Sequence, residues 1–510
     1  MSGRRSRELV GVALVLVAAL AALYKIQKLG FYDDDWAWLS MMGGSRDQTW
    51  WGVVKHFVRA QSGVWVRPAN FVAFPFLFRV FGEWALGWHL TLFALNAWCG
   101  VAFWRWLEEE GAGRATAGLA AGLFLLWPNH DATRHWVALF SSPAALALTF
   151  EALRARKLYP VASGLLILVA GLFYEAAAPL ALAPLLLEAW RHRRQGLRRA
   201  ATEGLRASVA LLLGLFFLVL WQRVLTPWLL HPERHPMSLS PVHAWKVYQA
   251  GLECQLFNRL WHLLFKHAQW AWLRFGWKAW VAWALGAAVL ARWSRESLAE
   301  EPPATEPLVF GVILLVLGYA PYVLDATYTP VVFSATNRVN FVPSAGAALV
   351  AAWALRRAYA GRRLWARRAA LALSAALPAA FLLSSWASNA QWAEAARRQN
   401  AIVNDLVPRL AALPDGPKTV LLFGLDTFIG SAPVFNSTYD LDGALYLARG
   451  DADVKGLVAE GRMRFDDASG VMSWFGETRV PYAGLYAYRA DTGAFARLAD
   501  KAAADAFVPR

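Results

Sequence analysis

Through residue 386 the chain alternates long apolar runs with short polar gaps. Runs of about 14 to 22 residues with almost no charge and no one-sided polar stripe predict membrane-spanning helices rather than surface helices or strands. They fall at 8–24, 86–107, 115–128, 136–153, 160–175, 176–190, 207–225, 271–291, 307–324, 342–355 and 369–386, a prediction of about 11 spans. The stretch 64–82 is also apolar, yet it carries Arg67, Pro68, Pro75 and Arg79. It is predicted as a helix lying in or dipping into the membrane interface, which makes 25–85 one long loop with interfacial helices. From 387 the pattern changes to ordinary charge density, a strand-like run Thr419-Val420-Leu421-Leu422-Phe423 and scattered Gly and Asp turns. That segment, 387–510, is predicted as a small α/β domain.

Charge gives the runs a direction. Arg4, Arg5 and Arg7 precede the first run, Arg105 and Arg114 flank the gap after the second, and Arg154, Arg156 and Lys157 follow the fourth. Arg191, Arg193, Arg194, Arg198 and Arg199 follow the sixth, Arg292 and Arg295 the eighth, and Arg356, Arg357, Arg362, Arg363, Arg367 and Arg368 the tenth. Every second gap is basic, which predicts the N-terminus inside and the C-terminal domain outside. Counting 64–82 as a span would reverse everything downstream.

The composition agrees: 57% of the 510 residues are hydrophobic and only 17% charged, with a mean hydropathy of +0.33. The net charge of +15 sits in the loop clusters just described, with no basic helix or RNA-binding motif, so nucleic acid is not the expected partner. The first 24 residues have the basic start and apolar stretch of a signal sequence without a convincing cleavage site, so an uncleaved anchor is expected. Cys99 and Cys254 give neither a disulfide framework nor a metal-ligand spacing. The expected location is a bacterial inner membrane.

Ionisable side chains gather at the ends of runs on the predicted outer side. Phe31-Tyr32-Asp33-Asp34-Asp35-Trp36 places three mutually repelling carboxylates just outside the first span. A solvated turn would account for them; a general base acting on an acceptor hydroxyl is the functional alternative. Arg67, in an apolar setting, either snorkels to headgroups or holds a phosphate in its planar fork. Trp127-Pro128-Asn129-His130-Asp131-Ala132-Thr133-Arg134-His135-Trp136 packs two His, an Asp and an Arg into one turn, without the spacing of a helical zinc pair. Glu175 stands in a minimal turn after Tyr174, and Arg338 precedes the tenth span. Many of the 28 Trp fall in outer segments, as an interfacial belt or a sugar site would have them.

In this order the segments resemble the GT-C superfamily of membrane glycosyltransferases, in particular bacterial relatives of the tetratricopeptide-repeat transmembrane O-mannosyltransferases. The matches are Asp34-Asp35 before Trp36, Arg67-Pro68, Pro128-Asn129-His130-Asp131, Tyr174-Glu175 and Arg338-Val339-Asn340-Phe341-Val342-Pro343-Ser344-Ala345-Gly346, and they cover 1–386. No single motif is specific, Tyr174 stands where the family has a basic residue, and no tetratricopeptide repeats follow.

The resemblance implies a GT-C-like catalytic domain over 1–386. It implies inverting transfer of a sugar from a polyprenyl-phosphate donor to an extracytoplasmic glycan, lipid or protein acceptor. Asp34 would be the general base and Asp35 would orient it or the acceptor. Arg67, Arg338 and Arg134 would hold the lipid phosphate, with His130, Asp131, Glu175 and Trp36 lining the pocket. No metal ligand is assigned, although an acidic cluster is able to hold a divalent cation. Two other classes compete. A flippase for a lipid-linked glycan would want polar or broken helices at mid-membrane, where these runs are bland. An O-antigen ligase or polymerase would use a lipid-pyrophosphate glycan and have no need of Asp34.

Overall fold

A computed structural model describes residues 23–60, 66–230, 240–288 except 279 and 282, 305–459, 461–473 and 477–508. The predicted span 8–24 lies almost wholly outside these residues.

The chain is a mostly helical, multi-pass membrane protein. Six described helical stretches are long and apolar enough to cross a membrane: Ala85–Glu109, Val137–Ala155, Leu197–Trp228, Glu306–Val323, Ala335–Tyr359 and Leu364–Ala411. Pro68–Phe81, Arg114–Leu126 and Pro160–Phe173 are shorter apolar helices. Along Leu197–Leu220 the side chains of Leu205, Val209, Leu213, Phe216 and Phe217 all face outward. Such a contiguous apolar face suits lipid, not water. Against its other side the helix Pro160–Phe173 comes so close that a Cβ on Gly214 would lie 2.2 Å from the Gly164 carbonyl oxygen, the small-residue contact of membrane helix pairs.

Two predicted spans are interrupted. In place of one helix over 176–190, a 3-10 segment Glu175–Leu182 leads into the helix Ala183–His192. Pro179 and Pro184 remove the backbone donors that a continuous α-helix needs there. The predicted span 271–291 is broken near its start, because the helix Asn258–Phe275 ends at Gly276, whose φ of +59° an L side chain rarely adopts.

The basic gaps meet at one end of the bundle. Glu110 pairs with Arg156 at 2.7 Å and Arg191 at 3.3 Å, and Arg356 donates to the Thr116 hydroxyl. The helix Ser141–Ala155 and the single turn Val137–Phe140 before it run from that end to the other, where Val137 and Ala138 donate to Asp35.

Residue 386 lies inside the 48-residue helix Leu364–Ala411, which carries the chain from apolar surroundings into the C-terminal region. There a four-stranded sheet has the order Val454–Val458, Lys418–Phe423, Leu485–Arg489, Phe495–Arg497. The first three strands are parallel and the last is antiparallel. The helix Asp440–Arg449 makes the crossover between the first two in chain order, and a three-stranded antiparallel meander is inserted at 463–481. One face of the sheet shares a hydrophobic core with the first loop. Phe31, Tyr32, Leu39 and Met42 pack in the same cluster as Val420, Leu422, Leu441 and Leu445. The first loop and the C-terminal region are thus buried against each other.

Candidate functional site

The acidic triplet is separated by its backbone. Asp33 adopts φ 50°, ψ −125°, a costly conformation for a residue with a Cβ, and the helix Asp34–Gly43 starts immediately after it. The turn sends three neighbouring carboxylates to three environments. Asp33 is buried and accepts a hydrogen bond from the Ser437 hydroxyl at 2.7 Å. Burial, with the charge of Asp34 next to it, pushes its pKa up to about 6. Asp34 stays partly exposed and accepts from the Tyr439 hydroxyl at 2.6 Å. Asp35 is fully enclosed and takes the backbone N–H groups of Tyr32, Val137 and Ala138 at 3.0, 3.3 and 2.6 Å. It therefore braces the loop against the start of a membrane helix and has no surface with which to touch an acceptor.

Arg67 and Glu175 are brought together in a two-pronged pair, Nε to Oε2 at 2.8 Å and Nη2 to Oε1 at 2.6 Å, with about a third of each side chain exposed (38% and 33%). The guanidinium also stacks 4.4 Å over the Tyr174 ring, which supplies a π face for the cation.

Arg338 is held by rings. Its Nη2 donates to the Tyr328 hydroxyl at 3.2 Å, and the guanidinium lies 5.0 Å from the centre of Trp136 and 5.4 Å from that of Tyr328. Among the described residues no carboxylate pairs with it at ion-pair distance. Tyr328 lies within electrostatic reach of both Arg67 and Arg338, as Asp34 does of Arg338. One neighbourhood therefore contains a partly exposed carboxylate, two guanidinium groups and an aromatic wall.

The other expected residues stand behind it. Asp131, 1% exposed, accepts from the Asn337 amide, from Ser388 Oγ at 2.5 Å and from Trp392 Nε1 at 3.0 Å. His130, also 1% exposed, faces Thr133 Oγ1 at 3.1 Å. Neither lines an open pocket; Asp131 instead fixes Asn337, the residue before Arg338, to the long helix. His135 beside them is kept neutral, with burial driving its pKa down to about 3. Arg134 belongs to a different neighbourhood from the other two Arg, donating to the Trp127 carbonyl at 2.6 Å and Ser385 Oγ at 3.2 Å. Burial lowers its pKa to about 10, so it remains a cation. Trp36 is half-buried against Phe31, and its main chain is pressed onto Gly443, where a Cβ would lie 2.4 Å from the Trp36 carbonyl oxygen.

Tyr439, Ser437 and Asp440 join the candidate site in space, and sequence reasoning missed them. Asp440 Oδ2 accepts the N–H groups of Asn436 and Ser437 at 2.8 and 2.9 Å and so holds the loop that presents Tyr439. No motif marked them. Among the described residues no group of three His, Cys, Asp or Glu side chains is arranged to hold a metal ion.

Fold and site together define a polytopic helical membrane protein with a charged, aromatic-walled site at the end of the bundle opposite its basic gaps. No family model matches the chain, and no curated protein matches it. Two solved structures of ArnT from Cupriavidus metallidurans are similar to it. The apo state gives a TM-score of 0.43 at 14% identity, and the form bound to undecaprenyl phosphate a TM-score of 0.44 at 13%; each match covers 88% of this chain and 85% of the other.

Proposed function

We propose that the protein is a GT-C-type glycosyltransferase that moves a sugar from a polyprenyl-phosphate donor to a hydroxyl acceptor on the outer face of a bacterial inner membrane. The observation that carries this reading is that a partly exposed Asp34 lies within electrostatic reach of Arg338, and the Arg67–Glu175 pair shares the Tyr328 neighbourhood with it. Asp34 is accessible and can take the proton of an incoming hydroxyl as it attacks the sugar from the side opposite the phosphate. Arg338, which no carboxylate among the described residues meets at ion-pair distance, is suited to a lipid phosphate and to the charge that grows on it as it departs. Arg67, anchored by Glu175, keeps donors free on its exposed side. Asp35 and Asp131 hold Asp34 and Arg338 in place from beneath, and the aromatic wall suits the apolar face of a sugar.

The test is incubation of the purified protein with a panel of polyprenyl-phosphate sugars. Release of polyprenyl phosphate with transfer or hydrolysis of one sugar is expected. Transbilayer movement of an intact lipid-linked glycan without sugar release would favour a flippase instead, and turnover of pyrophosphate-linked glycans alone would favour a ligase or polymerase.

A further inference from the structure

We propose that Tyr439, from the far end of the chain, is a positioning residue for Asp34. This rests on the reading of Asp34 as the general base. The phenol donates to Asp34 Oδ1 at 2.6 Å across 405 residues of sequence. Tyr439 is 37% exposed, so the bond lies at the rim of the site and not in the core. With Oδ1 engaged, the carboxylate's rotation is fixed and Oδ2 is the oxygen left for the acceptor's proton. Three contacts make the arrangement stiff. Ser437 bonds Asp33 at 2.7 Å, Asp440 ties down the backbone of 436–437, and the helix Asp440–Arg449 packs with Gly443 directly on the main chain of Trp36. The C-terminal region thereby becomes one wall of the site.

A general base contributes about 10²- to 10⁴-fold, and small displacements of such a group forfeit much of that. In the full-length protein, Tyr439→Phe keeps the ring and removes only the donor. It should lower kcat roughly tenfold or more, leave KM for the polyprenyl-phosphate sugar within about twofold, and leave thermal stability nearly unchanged. A kcat within about twofold of wild type, or a KM that rises as much as kcat falls, overturns the role. A second measurement needs no turnover. Asp34→Cys combined with Tyr439→Cys should be joined by a short bifunctional thiol reagent, the native Cys99 and Cys254 being buried; failure to join them overturns the contact. Absence of turnover in the wild-type protein would remove the glycosyltransferase reading and the role together, whereas wild-type turnover with an unaffected Tyr439→Phe would remove the role alone.

Discussion

Arg67 grips Glu175 through two parallel hydrogen bonds between residues 108 positions apart, while Arg338, in the same neighbourhood, rests on aromatic rings. The two cations are therefore not equivalent. One is paired with a carboxylate at hydrogen-bond distance, and the other, among the described residues, is not.

If the site binds a phosphate, removal of Arg67 both deletes a cation and strands a carboxylate that repels the ligand. Arg67→Ala should weaken binding of polyprenyl phosphate, and adding Glu175→Gln should recover part of the loss. Arg338→Ala should weaken it about 10- to 100-fold, the range of one charge-assisted hydrogen bond of ~1.5–3 kcal/mol, and Glu175→Gln should not repair it. Equilibrium binding to the four variants decides; equal rescue of both Arg variants would contradict the distinction.

Asp34→Asn keeps the shape of the site and removes the base. Sugar transfer should fall by about 10²-fold or more, with insertion and thermal stability retained. Full activity in this variant would end the assignment.

Asp35→Asn should behave in the opposite way. An amide must turn an NH2 group toward at least one of the three backbone donors that now meet Asp35, leaving a buried donor unsatisfied at a cost of ~1–3 kcal/mol. Lower yield and a lower unfolding temperature are expected, measured in the same detergent as wild type. A variant that is stable but inactive would place Asp35 in the chemistry after all.

The buried Asp33 carries a pH dependence. Its pKa in the folded chain, about 6, lies above that of an exposed Asp, so between roughly pH 4 and 6 the folded state binds more protons than the unfolded one. The stability it contributes is present in full at low pH and is lost as pH rises through about 6. Asp34 adds negative charge to this cluster, burial pushes the neighbouring Asp440 carboxyl up as well, and Arg338 and Arg462 moderate the repulsion. Thermal stability should therefore rise as pH is lowered from 7.5 towards about 5. Asp33→Asn should flatten that slope; an unchanged slope would show that another group titrates.

Gly443→Val tests the seam between the two ends of the chain. A Cβ there meets the Trp36 carbonyl at 2.4 Å, so the helix Asp440–Arg449 must lift from the helix Asp34–Gly43. Faster proteolysis within 436–450 and loss of transfer are expected; wild-type behaviour in both would mean that the seam is not needed.

Much of the membrane region was legible because lipid imposes long apolar helices that composition alone reveals, as at 86–107 and 307–324. Prolines at 179 and 184 and the glycine at 276 are equally visible, but hydropathy weighs neither a proline's missing backbone donor nor a glycine's positive φ, so the breaks inside two spans stay hidden. Asp34, Arg67, Glu175 and Arg338 each stand out in the sequence because a charge beside apolar runs is conspicuous. Their pairing was not legible, since nothing local joins Arg67 to Glu175. Asp33, Asp34 and Asp35 are chemically identical, and only the turn at Asp33 gives them separate environments. Tyr439 was invisible for a further reason: a tyrosine in an ordinary polar segment carries no signal until folding sets it beside a carboxylate.

The helix Leu364–Ala411 has 48 residues and so is ~72 Å long, more than twice the ~30 Å of a bilayer's hydrocarbon layer. Its earlier half is apolar enough to lie in the membrane, and its later half packs against the C-terminal region. A tilt of about 5° at the membrane would carry the far end of a ~37 Å arm by ~3 Å, as much as the whole length of a hydrogen bond. Bilayer thickness is thereby linked, through this one helix, to the height at which the C-terminal region sits over the membrane, and the surrounding lipid to the setting of the proposed site.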